Sequence, residues 1–200
     1  MKNKLLIHAC CAPCLVAVYD DTLKTMSKMN MDDFDIIWYN TNIHPKVEYE
    51  KRKNTYIAYV KDMGKNPILL DEYNMNKFIF DAVNLNKLGF KVRCEYCYVS
   101  RLEKVFEYAK NNGYTHVTTT LLISPYQKHD LIITVCNMLA EKYNVKFLYK
   151  DYRPLFREGQ NKARELGLYR QKYCGCIYSI DEGRWQGIWK NQTKKMLIKS

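Results

Sequence analysis

Five short apolar segments alternate along the chain with longer segments of helical character. The apolar segments are typical of buried β-strands and lie at residues 5–9, 34–39, 67–70, 116–122 and 145–149. Helices are predicted from Pro13, at 45–63, at 75–88, from Cys94 to about Asn111, at 127–142 and at 158–166. Because strands that alternate with helices form βαβ units, the pattern predicts an α/β, Rossmann-like domain with a mostly parallel sheet and helices on both faces.

Polar or reactive residues follow three of the predicted strands. In sheets of this kind the ligand site lies beyond the carboxyl ends of the strands. We therefore expect these residues to gather at one edge of the sheet. They are Cys10-Cys11, Asn40-Thr41-Asn42 and Ser124-Pro125. The sequence contains no Gly-x-Gly-x-x-Gly or Walker-type loop, which argues against a nucleotide cofactor.

Length, apolar content and charge limit the class of protein. The 200 residues fit one domain spanning 1–200, with a basic tail from about residue 185. No segment approaches the roughly 20 uninterrupted apolar residues of a membrane-spanning helix, and the apolar opening is too short for a secretory signal, so a cytosolic protein is expected. Lys and Arg outnumber Asp and Glu by 32 to 21, which favours nucleic acid as a partner over a charge needed only for solubility.

The eight cysteines fall into groups. Seven of them form three tight clusters, and only Cys136, in an apolar helical segment, stands apart as a predicted core residue. The clusters are Cys10-Cys11-x-x-Cys14, Cys94-x-x-Cys97 and Cys174-x-Cys176. Because cytosolic thiols are kept reduced, this distribution indicates metal binding or redox chemistry rather than a disulfide framework.

Four of these thiols can hold an iron–sulfur cluster. Cys94 and Cys97 have the spacing that ferredoxin-type sites use, and Cys10 and Cys11 lie where a strand meets the positive end of a helix. A tetrahedral zinc site built from the same four thiolates is the alternative. Zinc sites usually draw on two spaced Cys-x-x-Cys pairs or on histidine, so the vicinal pair favours iron and sulfur.

The remaining clustered thiols allow more than one interpretation. Cys14, four residues after Cys10, can bind a second metal ion, donate a proton or pack. Cys174 and Cys176, separated by one glycine, suit a strained and easily reduced disulfide that passes two electrons. A pair of metal ligands is the alternative for these two residues.

Five segments in order resemble the signature of the QueH-type epoxyqueuosine reductases, from about residue 5 to about residue 180. They are His8-Ala9-Cys10-Cys11-Ala12-Pro13-Cys14, Arg93-Cys94-Glu95-Tyr96-Cys97-Tyr98, Thr118-Thr119-Thr120-Leu121-Leu122-Ile123-Ser124-Pro125-Tyr126-Gln127, Phe156-Arg157-Glu158-Gly159 and Leu168-Tyr169-Arg170-Gln171-Lys172-Tyr173-Cys174-Gly175-Cys176. The resemblance covers nearly the whole chain and leaves out the Lys-rich tail.

The resemblance implies an enzyme that reduces epoxyqueuosine to queuosine at the wobble position of tRNA without cobalamin. It implies a [4Fe-4S] cluster and a redox-active pair at Cys174 and Cys176, with electrons from an unidentified donor. The cluster ligands would be Cys10, Cys11, Cys94 and Cys97. The family also resembles proteins with a second, mononuclear iron beside the cluster, for which Cys14 is the first candidate ligand.

The substrate would be held by residues beyond the strand ends and by cations. Ser124, Tyr126 and Gln127 are placed to reach the modified base, and His8, Asn42 and His44 have core or solvated-loop roles as alternatives to roles in the site. A basic run before the third cysteine cluster is the predicted phosphate contact, with Arg157 and Arg170 as its first candidates. The run consists of Arg153, Arg157, Arg164, Arg170 and Lys172.

Two other functions remain open at this point. A zinc-stabilised RNA-binding module would contain zinc and no iron, but it has no need of a third thiol pair. A thiol–disulfide oxidoreductase would act through Cys174 and Cys176 and would keep its activity without Cys94 and Cys97.

Overall fold

The structure, a computed structural model, contains a five-stranded, all-parallel sheet. It describes residues 2–86, 89–173, 175, 176 and 179, so Leu88, Cys174 and the predicted basic tail lie outside the described residues. The strands, in the order β3-β2-β1-β4-β5 across the sheet, confirm the predicted α/β, Rossmann-like fold. They are β1 (Lys4–His8), β2 (Asp33–Trp38), β3 (Ile68–Leu69), β4 (His116–Thr119) and β5 (Lys146–Phe147).

Six α-helices connect or follow these strands in the described residues. They are α1 (Ala12–Thr25), α2 (Lys46–Asp62), α3 (Met75–Asn86), α4 (Phe90–Asn111), α5 (His129–Tyr143) and α6 (Phe156–Glu165). Two short 3₁₀ helices lie at Thr120–Ile123 and Arg153–Leu155. Among these residues no helix is both long and apolar enough to cross a membrane.

The strand order reverses at β1, which lies between β2 and β4. Ile7 of β1 pairs with Ile36 on one side and with Thr118 on the other. Because parallel crossovers are right-handed, the reversal places the crossover helices α1 and α2 on one face of the sheet and α3, α4 and α5 on the other, while α6 follows the last strand. α1 accordingly packs against α2 and α6, and α4 packs against α3 and α5. The carboxyl ends of β1 and β4 therefore lie side by side where such sheets form a ligand crevice.

The core surrounds the central strand on both faces. Leu5, Leu6 and Ile7 are completely buried, as expected for a central strand of a parallel sheet. At the end of β2, Trp38 is also fully buried and packs against the rings of Tyr49 and Tyr56 from α2. The sheet edge that carries the site is thus supported by a rigid interior.

Two element boundaries differ from the sequence prediction. The fourth strand ends at Thr119 rather than near residue 122, because the Thr119 hydroxyl accepts a hydrogen bond from the Leu121 backbone N–H at 3.2 Å and starts a 3₁₀ turn. The prediction that Cys94 opens a helix was also wrong. α4 begins at Phe90 with Gly89 as its N-cap, so Cys94 and Cys97 both lie inside the helix, one turn apart.

Gly159 lets α6 approach α1 closely, and this contact yields a stability prediction. A methyl group at this position would lie 2.8 Å from Cβ of Ala17. The Gly159→Ala variant should gain about 1 kcal/mol of helix propensity. It should lose more through overpacking, which costs about 1–3 kcal/mol and here cannot be relieved by rotating a side chain. We expect a net loss of unfolding free energy in urea denaturation.

Asn161→Ala provides the matched control for this measurement. Asn161 is exposed on the same helix, so its replacement changes helix propensity without overpacking. Stability equal to or above that of the wild type is expected for this control. An equally stable Gly159→Ala protein would show that α6 moves away from α1 without cost.

Candidate active site

Three cysteines meet at the turn between β1 and α1. Cys10 lies two residues beyond the end of the strand, Cys11 is the N-cap residue of α1, and Cys14 lies in the first helical turn. The extended backbone of Cys11, with φ of −170°, directs its Sγ to accept a hydrogen bond from the Cys14 backbone N–H at 3.4 Å. The three Sγ atoms all lie within 4.8 Å of one another, a spacing that a single metal ion can bridge.

The three thiols have strongly unequal pKa values. The hydrogen bond that Cys10 makes to Cys11 raises the pKa of Cys10 to about 12, and the contacts with Cys10 and Cys11 raise the pKa of Cys14 well above its usual value. Burial raises the pKa of Cys11, but hydrogen bonds from Cys10 and Cys14 outweigh it and lower that pKa well below the usual value. Cys11 is therefore the first of the three thiols to lose its proton, and a bound cation would favour ionisation of the other two.

Polar side chains from distant segments surround these sulfur atoms. The Thr120 hydroxyl, just beyond β4, accepts from the Cys10 backbone N–H at 2.9 Å and lies 3.1 Å from the Cys10 sulfur. The Gln171 side-chain N–H donates to the Cys11 sulfur at 2.8 Å. The other polar atom of Gln171, Oε1, is buried without a partner in the described residues. An unsatisfied acceptor beside three thiols fits a site that binds a further group.

A cavity of about 860 Å³ brings the other cysteine clusters to the same place. Its walls include Cys10, Cys14, Cys94, Cys97 and Cys176. Cys94 and Cys97 reach the cavity from one face of α4, since residues three apart lie on the same side of a helix. Cys136 does not take part, because it is completely buried in the core on α5.

Three buried arginines also line the cavity. Arg52, Arg93 and Arg101 are only 2%, 7% and 2% exposed. Nε of Arg52 contacts the Glu48 carboxylate at 2.7 Å, and Nε of Arg101 donates to the Cys97 carbonyl at 3.1 Å. Charged side chains are rarely buried without a purpose, and these offset the negative charge that thiolates bring to the cavity. Sequence reasoning missed them, although Arg93 directly precedes Cys94.

The third cysteine cluster is held against the loop after β2. The Gly175 carbonyl accepts from the His44 backbone N–H at 2.9 Å, and Nη2 of Arg52 donates to the Tyr173 carbonyl at 3.0 Å. The Tyr173 hydroxyl also donates to the His44 carbonyl. Cys176 is 8% exposed and belongs, with Cys97, to a small buried cluster that also contains Phe78 and Ala82, so residues of two of the three cysteine clusters share one packed region. Since Cys174 lies outside the described residues, its pairing with Cys176 stays a prediction.

Comparison with known proteins places the chain in a family. The family described as epoxyqueuosine reductase QueH matches residues 5–182. The chain belongs to the QueH family. It is similar to epoxyqueuosine reductases QueH of Dehalococcoides mccartyi, at 35% identity over 90% of this chain and 93% of the relative, and of Thermotoga maritima, at 35% identity over 90% and 92%. A similar protein from Haemophilus influenzae is 34% identical over 92% of this chain and 75% of its own length.

Membership in the QueH family confirms the predicted resemblance and the predicted enzyme class, epoxyqueuosine reductase. The shared segment includes all three cysteine clusters. The identity of the bound cofactor and the roles of the individual thiols remain predictions.

The three candidate site residues near the strand ends, His8, Asn42 and His44, are all buried. His8 has both ring nitrogens occupied, with Nδ1 2.9 Å from the Thr119 hydroxyl and Nε2 3.1 Å from the Tyr39 carbonyl, and burial lowers its pKa to about 4. It therefore supports the sheet edge as a neutral residue. Asn42 and His44 are fully buried rather than solvated, and Asn42 has no partner for either polar side-chain atom within the described part of the chain.

The residues predicted to bind the substrate fall into two sets, one that lines the cavity and one that lies outside its wall. Ser124, Tyr126 and Gln127 line the cavity, and Gln127 Oε1 accepts from the Tyr98 hydroxyl at 2.7 Å. Arg157 and Arg170 are exposed and lie outside the cavity wall, so their contact with substrate stays a prediction. Of the basic run, Lys172 is the member that lines this cavity.

Proposed function

We propose that this chain reduces epoxyqueuosine to queuosine in tRNA. The epoxide oxygen would leave as water, with two electrons and two protons consumed and a carbon–carbon double bond formed. The observation that carries the proposal is the convergence of five cysteines from three clusters on one cavity at the carboxyl ends of parallel strands, in a chain of the QueH family. Such chemistry would take place in the cytoplasm, where tRNA is modified.

The thiols suit an iron–sulfur cofactor. Cys10, Cys11, Cys94 and Cys97 would hold a [4Fe-4S] cluster, and Cys14 is the candidate ligand of a second iron, since its sulfur is within 4.8 Å of the Cys10 and Cys11 sulfurs. When bound, the iron would supply electrons and polarise the epoxide oxygen, without cobalamin. The buried cations Arg52, Arg93 and Arg101 would offset the charge of such a cluster.

The remaining chemistry would fall to the protein. If Cys14 does not bind a second iron, it is the candidate donor of a proton to the departing oxygen, because it lines the cavity beside the cluster ligands. The Cys174/Cys176 pair would receive two electrons from an unidentified donor and pass them on. The position of Cys176 in the same buried cluster of side chains as Cys97 supports this role. Ser124 and Gln127 would orient the modified base by hydrogen bonds.

The decisive test is a reduction assay with protein purified and reconstituted without oxygen. Mixed with tRNA carrying epoxyqueuosine and a chemical reductant, the iron-loaded protein should yield queuosine, detected by mass spectrometry of the digested tRNA as the loss of one oxygen atom. No conversion by iron-loaded protein would contradict the proposal. Colourless protein that retains zinc after reconstitution would favour an RNA-binding module instead.

Tyr126 should contribute to substrate affinity by stacking. Its side chain lines the cavity and is 82% exposed, and its ring packs edge-on with the Phe156 ring, with 5.9 Å between the ring centroids. One flat face of the Tyr126 ring is therefore available to a base. Base–aromatic stacking contributes about 1–3 kcal/mol, so Tyr126→Ala should raise KM for tRNA by roughly 5-fold to 150-fold with little change in kcat. Tyr126→Phe keeps the ring and should behave like the wild type; an equal loss in both variants would exclude stacking.

A further inference from the structure

A second cavity, of about 640 Å³, adjoins the first and shares two residues of its wall, Gln127 and Lys128. It lies between the first turns of α4 and of α5. Its other wall residues are Lys91, Glu95, His129, Asp130, Leu131, Thr134 and Arg153. The two cavities share a wall. A polymer with one unit in the first cavity would therefore place its next unit at the second cavity.

The N-terminus of α5 opens into this second cavity. The helix has 15 residues, begins at His129 after the N-cap residue Lys128, and has no side-chain cap within the described residues. The Lys128 backbone N–H donates to the Tyr98 hydroxyl at 3.1 Å, which fixes the entry of the helix beside the first cavity. The first N–H groups of a helix lack intrahelical acceptors and carry a partial positive charge, so they favour an anion.

His129 independently indicates a ligand in the second cavity. The side chain is 9% exposed and lines the cavity, and its Nδ1 has no hydrogen-bond partner among the described residues. Its Nε2 lies 3.2 Å from the Tyr149 hydroxyl. When that hydroxyl donates to Nε2, the ring proton resides on Nδ1, which becomes a buried donor without an acceptor. Such a donor costs about 1–3 kcal/mol unless a ligand satisfies it.

The charges around the cavity select a weakly charged anion. Three cationic side chains, Lys91, Lys128 and Arg153, face two carboxylates, Glu95 and Asp130. Arg153 is moreover held by Asp151 through contacts of 2.7 and 2.8 Å, which reduces its free charge. The small cationic surplus, with the helix N-terminus, suits a singly charged phosphodiester better than a free nucleotide with several charges.

We propose that the second cavity binds a backbone phosphate of the tRNA anticodon loop, next to the nucleotide that enters the first cavity. The inference rests on the proposed function, since it takes tRNA as the substrate. The phosphate would accept hydrogen bonds from His129 Nδ1 and from the first N–H groups of α5. Lys91 would add a cationic contact from α4.

The experiment measures binding of a fluorescent anticodon stem-loop RNA with guanosine at the wobble position, so no chemistry is required. His129→Phe keeps a planar aromatic ring but removes both ring nitrogens, and Lys91→Ala, at an exposed position, leaves the fold unchanged. Each variant should weaken binding by about tenfold, as expected for loss of a charge-assisted contact. Lys91→Ala should also reduce the slope of log affinity against log salt by about 0.7. Lys142→Ala, at the far end of α5, is the control and should bind like the wild type.

A second set of RNAs, each with one loop phosphate replaced by an uncharged methylphosphonate, identifies the contact. Replacement of one linkage beside the wobble nucleotide should weaken wild-type binding about tenfold. The same replacement should have little further effect in His129→Phe and Lys91→Ala, because the phosphate and these two side chains form the same contact. Two results would overturn this inference but not the proposed function. One is that the effects of RNA replacement and protein substitution add independently at every linkage, and the other is that Lys91→Ala binds like the wild type. A wild-type protein that binds no stem-loop RNA would overturn the tRNA substrate and the inference together.

Discussion

The Cys94→Ser variant should lose the proposed iron–sulfur cluster and the reductase activity that depends on it. Cys94 faces the cavity that also contains Cys10, Cys14 and Cys97, and serine is a poor ligand for the soft iron site of a cluster. Mutation of residues that only hydrogen-bond to metal ligands typically reduces metal affinity or activity by about 10-fold to 100-fold. Loss of a ligand itself should therefore reduce activity by more than about 100-fold. In protein purified without oxygen, the absorption at about 400 nm and the iron content should both be lower in Cys94→Ser than in the wild type.

Cys136→Ala is the matched control for this variant. It removes a thiol that is fully buried in the core and outside the cavity, so it should reduce stability slightly and leave the iron content unchanged. Full activity in Cys94→Ser would instead support a thiol–disulfide oxidoreductase that acts through Cys174 and Cys176.

Cys14→Ser separates two possible ligand sets. In the structure the tightest sulfur group consists of Cys10, Cys11 and Cys14, whereas the sequence assigns the cluster to Cys10, Cys11, Cys94 and Cys97. If Cys14 holds a second iron or donates a proton, its serine variant should keep the cluster absorption and lose activity. Loss of all iron from Cys14→Ser, with iron retained in Cys94→Ser, would show that the assigned ligand set is wrong.

The Gly175→Ala variant should lose most activity while it keeps its iron. Gly175 has a φ of +112°, and a methyl group there would lie 3.1 Å from Nη1 of Arg52 and 3.2 Å from Nδ2 of Asn42. The strained backbone costs about 1–3 kcal/mol, and the loop must move to relieve the contacts. A displacement of about 1 Å at a reacting group can cost about 100-fold in rate, so the turnover of tRNA should fall by a factor of this order.

Gly167→Ala tests whether this effect belongs to the contacts or to backbone strain in general. Gly167 also has a positive φ, of +65°, but a methyl group there meets nothing within 4 Å. It should lose about 1 kcal/mol of unfolding free energy, measured by thermal denaturation, and keep its activity. Equal turnover by Gly175→Ala and the wild type would show that the position of the third cysteine cluster is not critical.

Local patterns were sufficient to predict the sheet and its site edge. The apolar segment predicted at residues 5–9 forms the central strand, which ends at His8, and Cys10 and Cys11 lie beyond its carboxyl end as predicted. Cys94 and Cys97 were recognised from their spacing and placed on a helix, but the start of that helix was predicted four residues too late, at Cys94 instead of Phe90. The 3₁₀ turn at Thr120 also escaped prediction, since it depends on one side-chain hydrogen bond that overrides a strong β pattern.

The sequence by itself determined the candidate site residues and the edge of the sheet where Cys10 and Cys11 lie, because cysteine spacing and hydrophobic periodicity are local properties of the chain. Only the tertiary structure decided what surrounds them. Arg52 reaches the Tyr173 carbonyl across 121 residues, and the burial of Asn42 and of His129 Nδ1 depends on the packing of separate elements. Such contacts arise through space between segments that no periodicity links, so a one-dimensional pattern contains no signal for them.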